Sequence, residues 1–222
     1  MDKNLIVYDD IQSNEEIRTY IEMADQMLSA QGFTEHSFAH VTKAARVAFD
    51  ILQTLGYPER TCELARIAGF MHDIGNVINR NDHAQSGALM AYRILNKLGM
   101  PPREVAIVIG AIGNHDEGTA VPVGEVAAAL ILADKSDVRR SRVRNQLEAS
   151  FDIHDRVNYA VEQSQLIVDL RHELFSLNLT IDTKTGTMLD YFEIFLGRML
   201  LCRRAANYFH MNFQLVINGN VL

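Results

Sequence analysis

Apolar residues recur at helical spacing along most of this chain. Val41, Ala44, Ala45, Ala48, Leu52 and Leu55 form one stripe, and Gly56 and Pro58 stop it. The same periodicity predicts a first helix over Ser13–Ala30 and a third over Glu59–Met71. Asp82, with Gln85 three residues on, reads as a capping box opening a helix that closes near Gly99. Pro101 and Pro102 then start another, with Val105, Ile109 and Ile112 on one stripe. A helix predicted from Gly124 to Arg140 contains VAAALILA, apolar on every side, which predicts full burial. From about Val157 the period changes: QLIVDL, LFSLNLTID and FQLVIN read as short strands around one long helix, Met188–Phe209. The expected fold is mainly α, with a small C-terminal α+β appendage. The change of period divides the chain into a helical leader at residues 1–32, a helical domain at 33–150 and the appendage at 151–222.

Composition adds limits to this picture. With 222 residues, 48% of them hydrophobic, the chain can bury a substantial core. No apolar run reaches the roughly 18 residues of a membrane span, and the opening MDKNLIVYDD lacks the basic-then-apolar order of a signal peptide, so the expected location is cytoplasmic. Cys62 and Cys202 lack metal spacing and read as reduced core thiols. The net charge of −7 belongs to the leader: residues 1–35 carry eight acids and two bases, whereas residues 36–150 carry twelve and thirteen. Nothing supplies the broad basic surface that captures nucleic acid. The one basic cluster, RRSRVR at 139–144, reads as a solvated helix face.

Candidate chemistry begins with Asp134, which ends the apolar run AAALILAD. An unpaired carboxylate desolvated there would cost several kcal/mol, so it needs a partner, either a basic side chain or a cation. His40 lies on an Ala- and Val-lined helix, His72 and Asp73 stand together at the end of an apolar run, His83 opens a helix and His115 follows one. His154, His172 and His210 are scattered along the appendage and read as structural or exposed. Imidazoles combined with carboxylates suit Fe, Mn, Zn, Co or Ni, and six such ligands suit two ions that share a carboxylate. At a helix C-terminus, the place of His72-Asp73, the macrodipole also favours a cation. Gly75 would let the chain turn out of that helix.

His40, the HDIG at 72–75 and Asp134 in LADKSD together resemble the HD superfamily of metal-dependent phosphohydrolases, over about residues 33 to 145. DHAQSG around His83 and IGNHDE around His115 are similar to the two extra histidines in the HD domains of ribonuclease Y and HD-GYP phosphodiesterases. The resemblance implies that His40, His72, Asp73 and Asp134 hold a first divalent transition metal ion. His83 and His115, with Asp73 bridging, would hold a second. His36, one helical turn before His40, is similar to the leaving-group acid of cyclic-nucleotide phosphodiesterases, so His36 and Asp73 are the expected catalytic residues. Asn76 stands where many relatives carry a phosphate-binding Lys, and no GYP triad follows. Arg80 and Lys135 are the expected phosphate contacts. On a continuous helix Asp137 shares the face of Asp134 and is the expected support for the ligands, whereas the four arginines after it do not share that face.

The implied activity is hydrolysis of a small nucleotide or phosphoester, as a phosphomonoesterase or phosphodiesterase. Two other functions fit the same residues: an HD-fold di-iron oxygenase, which uses the same ligand types, and a nucleotide-sensing module with little turnover. The appendage offers strands and an amphipathic helix for a homodimer contact.

Overall fold

The computed structural model describes residues 5–144, 153–185 and 187–222. The expected boundary at 150/151 lies outside the described residues. Nine α-helices precede, flank and cross a four-stranded sheet among the residues described: α1 Tyr8–Ser13, α2 Glu15–Ala30, α3 Phe38–Thr54, α4 Glu59–Met71, α5 His83–Leu98, α6 Pro102–Gly113, α7 Glu125–Lys135, α8 Ile153–Ala160, β1 Val161–Asp169, β2 Leu174–Ile181, α9 Met188–Tyr208, β3 Asn212–Ile217 and β4 Asn220–Val221. Short 3-10 turns occupy Ile74–Val77 and Arg140–Arg142.

Local chemistry sets most of these boundaries. Asn14 accepts from the Ile17 amide to open α2, and Ser37 accepts from the Ala39 amide to open α3; caps of this kind contribute about 1 kcal/mol each. Thr187 and Asp190 form a reciprocal capping box at α9. Gly99 ends α5 at φ 88°, a left-handed conformation suited to glycine, and Met100 N–H bonds back to Leu95 O. The expected capping box at Asp82 does not form. Asp82 is itself left-handed (φ 58°) and makes no cap bond, while Gln85 turns away to Gly113 O and the Thr119 hydroxyl. A second departure is the short helix α1, separated from α2 by the extended Asn14.

Small residues bring the site-bearing helices close. A Cβ on Gly69 of α4 would lie 2.6 Å from Ala45 Cα of α3. Gly75 acts the same way: its Cβ would collide with His83 O, so glycine lets the turn after α4 lie against α5. Helix α7 is buried along its whole length, as its apolar sequence predicts, and packs on α3, α4, α6 and α9.

In the sheet, β1 and β2 pair antiparallel, β2 and β3 pair parallel across the α9 crossover, and β3 and β4 pair antiparallel. One hydrophobic core runs continuously from Tyr8 and Phe70 through Leu130 and Cys202 to Phe175 and Ile217, with both cysteines buried and free. The appendage therefore packs onto the helical domain as part of the same core. Among the described residues no helix is long and apolar enough to cross a membrane.

Candidate metal centre

Four imidazoles and two carboxylates from five segments meet in the interior. His40 comes from the first turn of α3, His72 and Asp73 from the end of α4, His83 from the start of α5, His115 from just beyond α6 and Asp134 from the last turn of α7; all six are buried. Two overlapping triplets, His40–His72–Asp134 and His72–Asp73–His115, each place their ligand-type atoms within 4.8 Å of one another.

The hydrogen bonds around the cluster decide which atoms face inward. Each histidine turns Nδ1 to an acceptor: His40 to Asp137 Oδ2 (2.8 Å), His72 to Gly69 O (2.8 Å), His83 to Arg80 O (3.0 Å) and His115 to Ile112 O (2.6 Å). Those acceptors hold the proton on Nδ1, so each Nε2 presents a lone pair to the centre. His40 Nε2, His72 Nε2 and Asp73 Oδ2 are buried without a hydrogen-bond partner among the described residues, and the two lone pairs of His83 and His115 Nε2 face each other at 3.2 Å. Acceptor atoms converging without a donor, as at His40 Nε2, His72 Nε2 and Asp73 Oδ2, are costly to bury, and at His83 Nε2 only Arg80 Nη1, 3.4 Å away, offers one. A cation resolves the arrangement, and the donor set fits a divalent transition metal.

Asp73 divides its two oxygens. Oδ2 lies 3.2 Å from His72 Nε2 and 3.6 Å from His40 Nε2, while Oδ1 lies 3.5 Å from His83 Nε2 and 3.9 Å from His115 Nε2. Asp134 Oδ1 joins the first group, 3.3 Å from His40 Nε2, and its Oδ2 is held by Lys135 at 2.7 Å.

Electrostatics follow the same division. Burial disfavours the charge on Asp73, but His72 beside it holds its carboxyl well below the usual range; Lys135 does the same for Asp134. Burial pushes His83 down and His115 well down, which keeps their lone pairs free. Burial opposes protonation of His72, yet Asp73 and Asp134 together raise it.

A family model described as HD domain matches residues 35–157, more than half of the chain and every residue of the cluster. The chain belongs to the HD superfamily of metal-dependent phosphohydrolases. It is also similar to the uncharacterized protein MJ1020 of Methanocaldococcus jannaschii, 24% identical over 184 residues that cover 72% of this chain and 71% of the relative. Family membership and the clustered ligands agree on divalent metal binding.

Around this HD-domain centre the remaining expected residues divide. Asp137 accepts from His40 and is held by Lys43 at 2.8 Å and Arg139 at 3.0 Å. It reaches that position differently than expected. Helix α7 ends at Lys135 rather than Arg140, and Ser136 Oγ bonds Ala133 O at the break. The arginines that follow are not a solvated helix face. Arg142 is buried and donates to Glu35 O and Asp137 O at 2.9 Å each, Arg140 donates to Tyr159 O, Arg139 reaches Glu35 and Arg144 pairs with Asp25. Leaving the helix lets Arg139 and Arg142 tie the segment to Glu35 just before α3, while Arg140 ties it to α8 and Arg144 to α2.

Beside the cluster lies a cavity of about 280 Å³, lined by Phe33, Thr34, His36, Arg80, Glu117, Arg142, Phe195 and Arg198 among others. His36 and Arg80 both line this cavity. The His36 ring is 5.6 Å from that of His40, its Nδ1 is 2.7 Å from Thr34 O, and burial pushes its pKa well down. Arg80 Nη1 lies 3.4 Å from His83 Nε2. Lys135 is not on the cavity wall; it is buried between Asp134 and Glu117, the latter at 3.5 Å. Asn76, where the resemblance led us to expect a lysine, donates Nδ2–H to Asp73 Oδ1 (2.9 Å) and accepts from Arg80 (3.3 Å), so it orients the Asp73 carboxylate. Sequence reasoning missed Asp116, 4.0 Å from His83 Nε2, and also Glu117, Arg142 and Arg198. The acids in NHDE were visible beside His115, but nothing local marked the two arginines. His172 is exposed and paired with Asp169, His210 is exposed, and the side chain of His154 lies outside the described residues.

Proposed function

We propose that this chain is a phosphohydrolase with a two-ion centre, acting on a small phosphorylated molecule such as a nucleotide. The observation that carries the reading is the divided Asp73 carboxylate, one oxygen turned to each pair of histidine lone pairs, with an arginine-lined cavity beside it. His40, His72, Asp134 and Asp73 Oδ2 would hold one ion; His83, His115 and Asp73 Oδ1 would hold the other. Divalent Fe, Mn, Co, Ni or Zn supplies Lewis acidity toward phosphoryl oxygens and lowers the pKa of water.

The protein's own groups supply the rest. Asp73 and Asp134 stay ionised and offset the ions' charge, and Asp137 fixes the ring of His40. Arg80, placed by Asn76 next to His83, receives the phosphoryl oxygens. His36 faces the cavity one turn before His40; burial keeps its ring neutral in the free protein, and the negative charge of a bound phosphate would raise its pKa so that it could carry a proton to the leaving oxygen. A cavity at or just below the roughly 300–1,000 Å³ range of small-molecule sites admits a mononucleotide-sized ligand and excludes a folded polynucleotide. Residues 1–32, 33–150 and 151–222 would then serve as leader, catalytic domain and appendage of a protein working in the cytoplasm.

The test is elemental analysis of protein purified without chelator, together with a panel of nucleotides and phosphoesters assayed in air and under argon. The reading expects about two equivalents of metal and phosphate release that ignores oxygen. Protein that takes up no Mn or Fe ends it. Turnover that requires oxygen converts it to the oxygenase reading, and metal without turnover on any substrate converts it to a sensor.

A further inference from the structure

The long helix of the C-terminal unit forms part of the cavity wall. Helix α9 packs on α7, the helix that ends in Asp134 and Lys135, and contributes Phe195 and Arg198 to the cavity. Arg198 is anchored twice. Its Nε donates to Glu117 at 2.7 Å, and its guanidinium lies over the Phe195 ring at 4.5 Å from the centroid. Glu117 also meets Lys135, which holds Asp134, so a chain of alternating charges runs from the candidate ligand to the cavity. Glu117 is held down at about 2: burial opposes its charge, but Lys135 and Arg198 outweigh burial.

A guanidinium needs no such anchoring to pair with one carboxylate, and Glu117 is already shared with Lys135. Arg80 approaches the cluster from the His83 side, Arg142 from the segment after α7 and Arg198 from the Asp134 side. Glu117 and Asp155 also stand on the wall, so the three guanidiniums leave one net positive charge around a small volume. Guanidinium forks are suited to phosphate oxygens, and their planar, oriented donors lose little entropy on binding.

We propose that α9 completes the substrate site, with Arg198, seated on Phe195 and braced by Glu117, binding the phosphate dianion of a compact phosphomonoester. This rests on the phosphohydrolase reading for the identity of the site but can fail or stand apart from it. It also gives the appendage a role in selecting substrate, because the wall it closes sets the size of the cavity and the charge of what fits. A dianion answers three arginines better than the single charge of a diester.

The experiment uses chelator-treated full-length protein and inorganic phosphate as the probe, titrated calorimetrically at low salt, with metal content and melting temperature recorded separately on each metal-reloaded variant. Arg198→Gln should bind phosphate about tenfold or more weakly, the scale of one charge-assisted hydrogen bond. Arg198→Lys should recover part of that loss. Arg171→Ala, an exposed arginine outside the cavity, removes the same charge and should bind like wild type. On the reloaded enzyme, Arg198→Gln should raise KM for a phosphomonoester more than for a matched diester. Wild-type affinity in Arg198→Gln, an equal loss in Arg171→Ala, or no phosphate binding by the wild type would overturn the proposal. If Arg198→Gln melts far below wild type, the comparison of Arg198→Lys with Arg171→Ala decides. Arg198-dependent phosphate binding in a protein that hydrolyses no phosphoester would leave this inference standing and remove the hydrolase reading.

Discussion

The two halves of the cluster are built from the same donor atoms but supported differently. On the first side, His40 gives its Nδ1–H to the Asp137 carboxylate, which Lys43 and Arg139 hold in place, His72 gives its own to Gly69 O, and Asp134 is fixed by Lys135. On the second side, His83 and His115 give theirs to main-chain carbonyls, Asn76 occupies part of Asp73 Oδ1, and the Arg80 cation stands 3.4 Å from His83 Nε2. A carboxylate partner makes an imidazole a stronger donor than a carbonyl does, and a nearby cation repels a metal ion. On the proposed two-ion reading, the first half would therefore hold its ion more tightly than the second.

The largest expected effect comes from removing the residue the halves share. Asp73→Ala should empty both sites, leaving under a tenth of an equivalent of metal after dialysis and no measurable turnover. Retention of one full equivalent would show that Asp73 does not serve the first half. His36 tests chemistry on the first side without itself being a candidate ligand. His36→Ala should keep its metal yet lose roughly 10²- to 10⁴-fold in turnover of an alkyl phosphate, whose leaving group needs a proton, and far less with nitrophenyl phosphate. Equal losses on both substrates would make it a positioning residue instead.

Smaller effects separate the halves themselves. Asp137→Asn should weaken the tighter ion by roughly 10- to 100-fold, the usual cost of losing such a support, and leave the weaker one nearly unchanged. Competition with a fluorescent chelator measures it. Arg80→Gln should act in the opposite sense, tightening the weaker ion several-fold as the repulsion is removed while weakening phosphate binding. A looser second ion in that variant would mean that Arg80 holds His83 in place rather than repelling the metal.

Much of this was legible in the chain before folding because the signals were local. Histidines at the ends of apolar stripes and an aspartate closing VAAALILA point inward whatever the tertiary detail, and the helices from Glu59 to Gly113 follow from Gly, Pro and periodicity. The departures occur where distant contacts override local preference. Continuing α7 through Arg140 satisfied the local pattern, but the pull of Asp137 toward His40 and of Arg142 toward Glu35 ends the helix at Lys135. Lys135 looked free to meet phosphate until Glu117, from another loop, joined Asp134 beside it. Arg198 could not be found at all, since its place on the cavity wall exists only once α9 has crossed the sheet and packed on α7. Asn76 shows a subtler case: a change from the family's lysine became a support for the shared carboxylate.

Stepwise titration of Mn(II) into chelator-treated protein, followed by calorimetry, tests the unequal two-ion centre most directly. Wild type should show two binding events of about one ion each, separated by at least tenfold in affinity, and His115→Ala should delete the weaker event while the tighter one stays. A single event of one ion, or loss of the tighter event in His115→Ala, would contradict it.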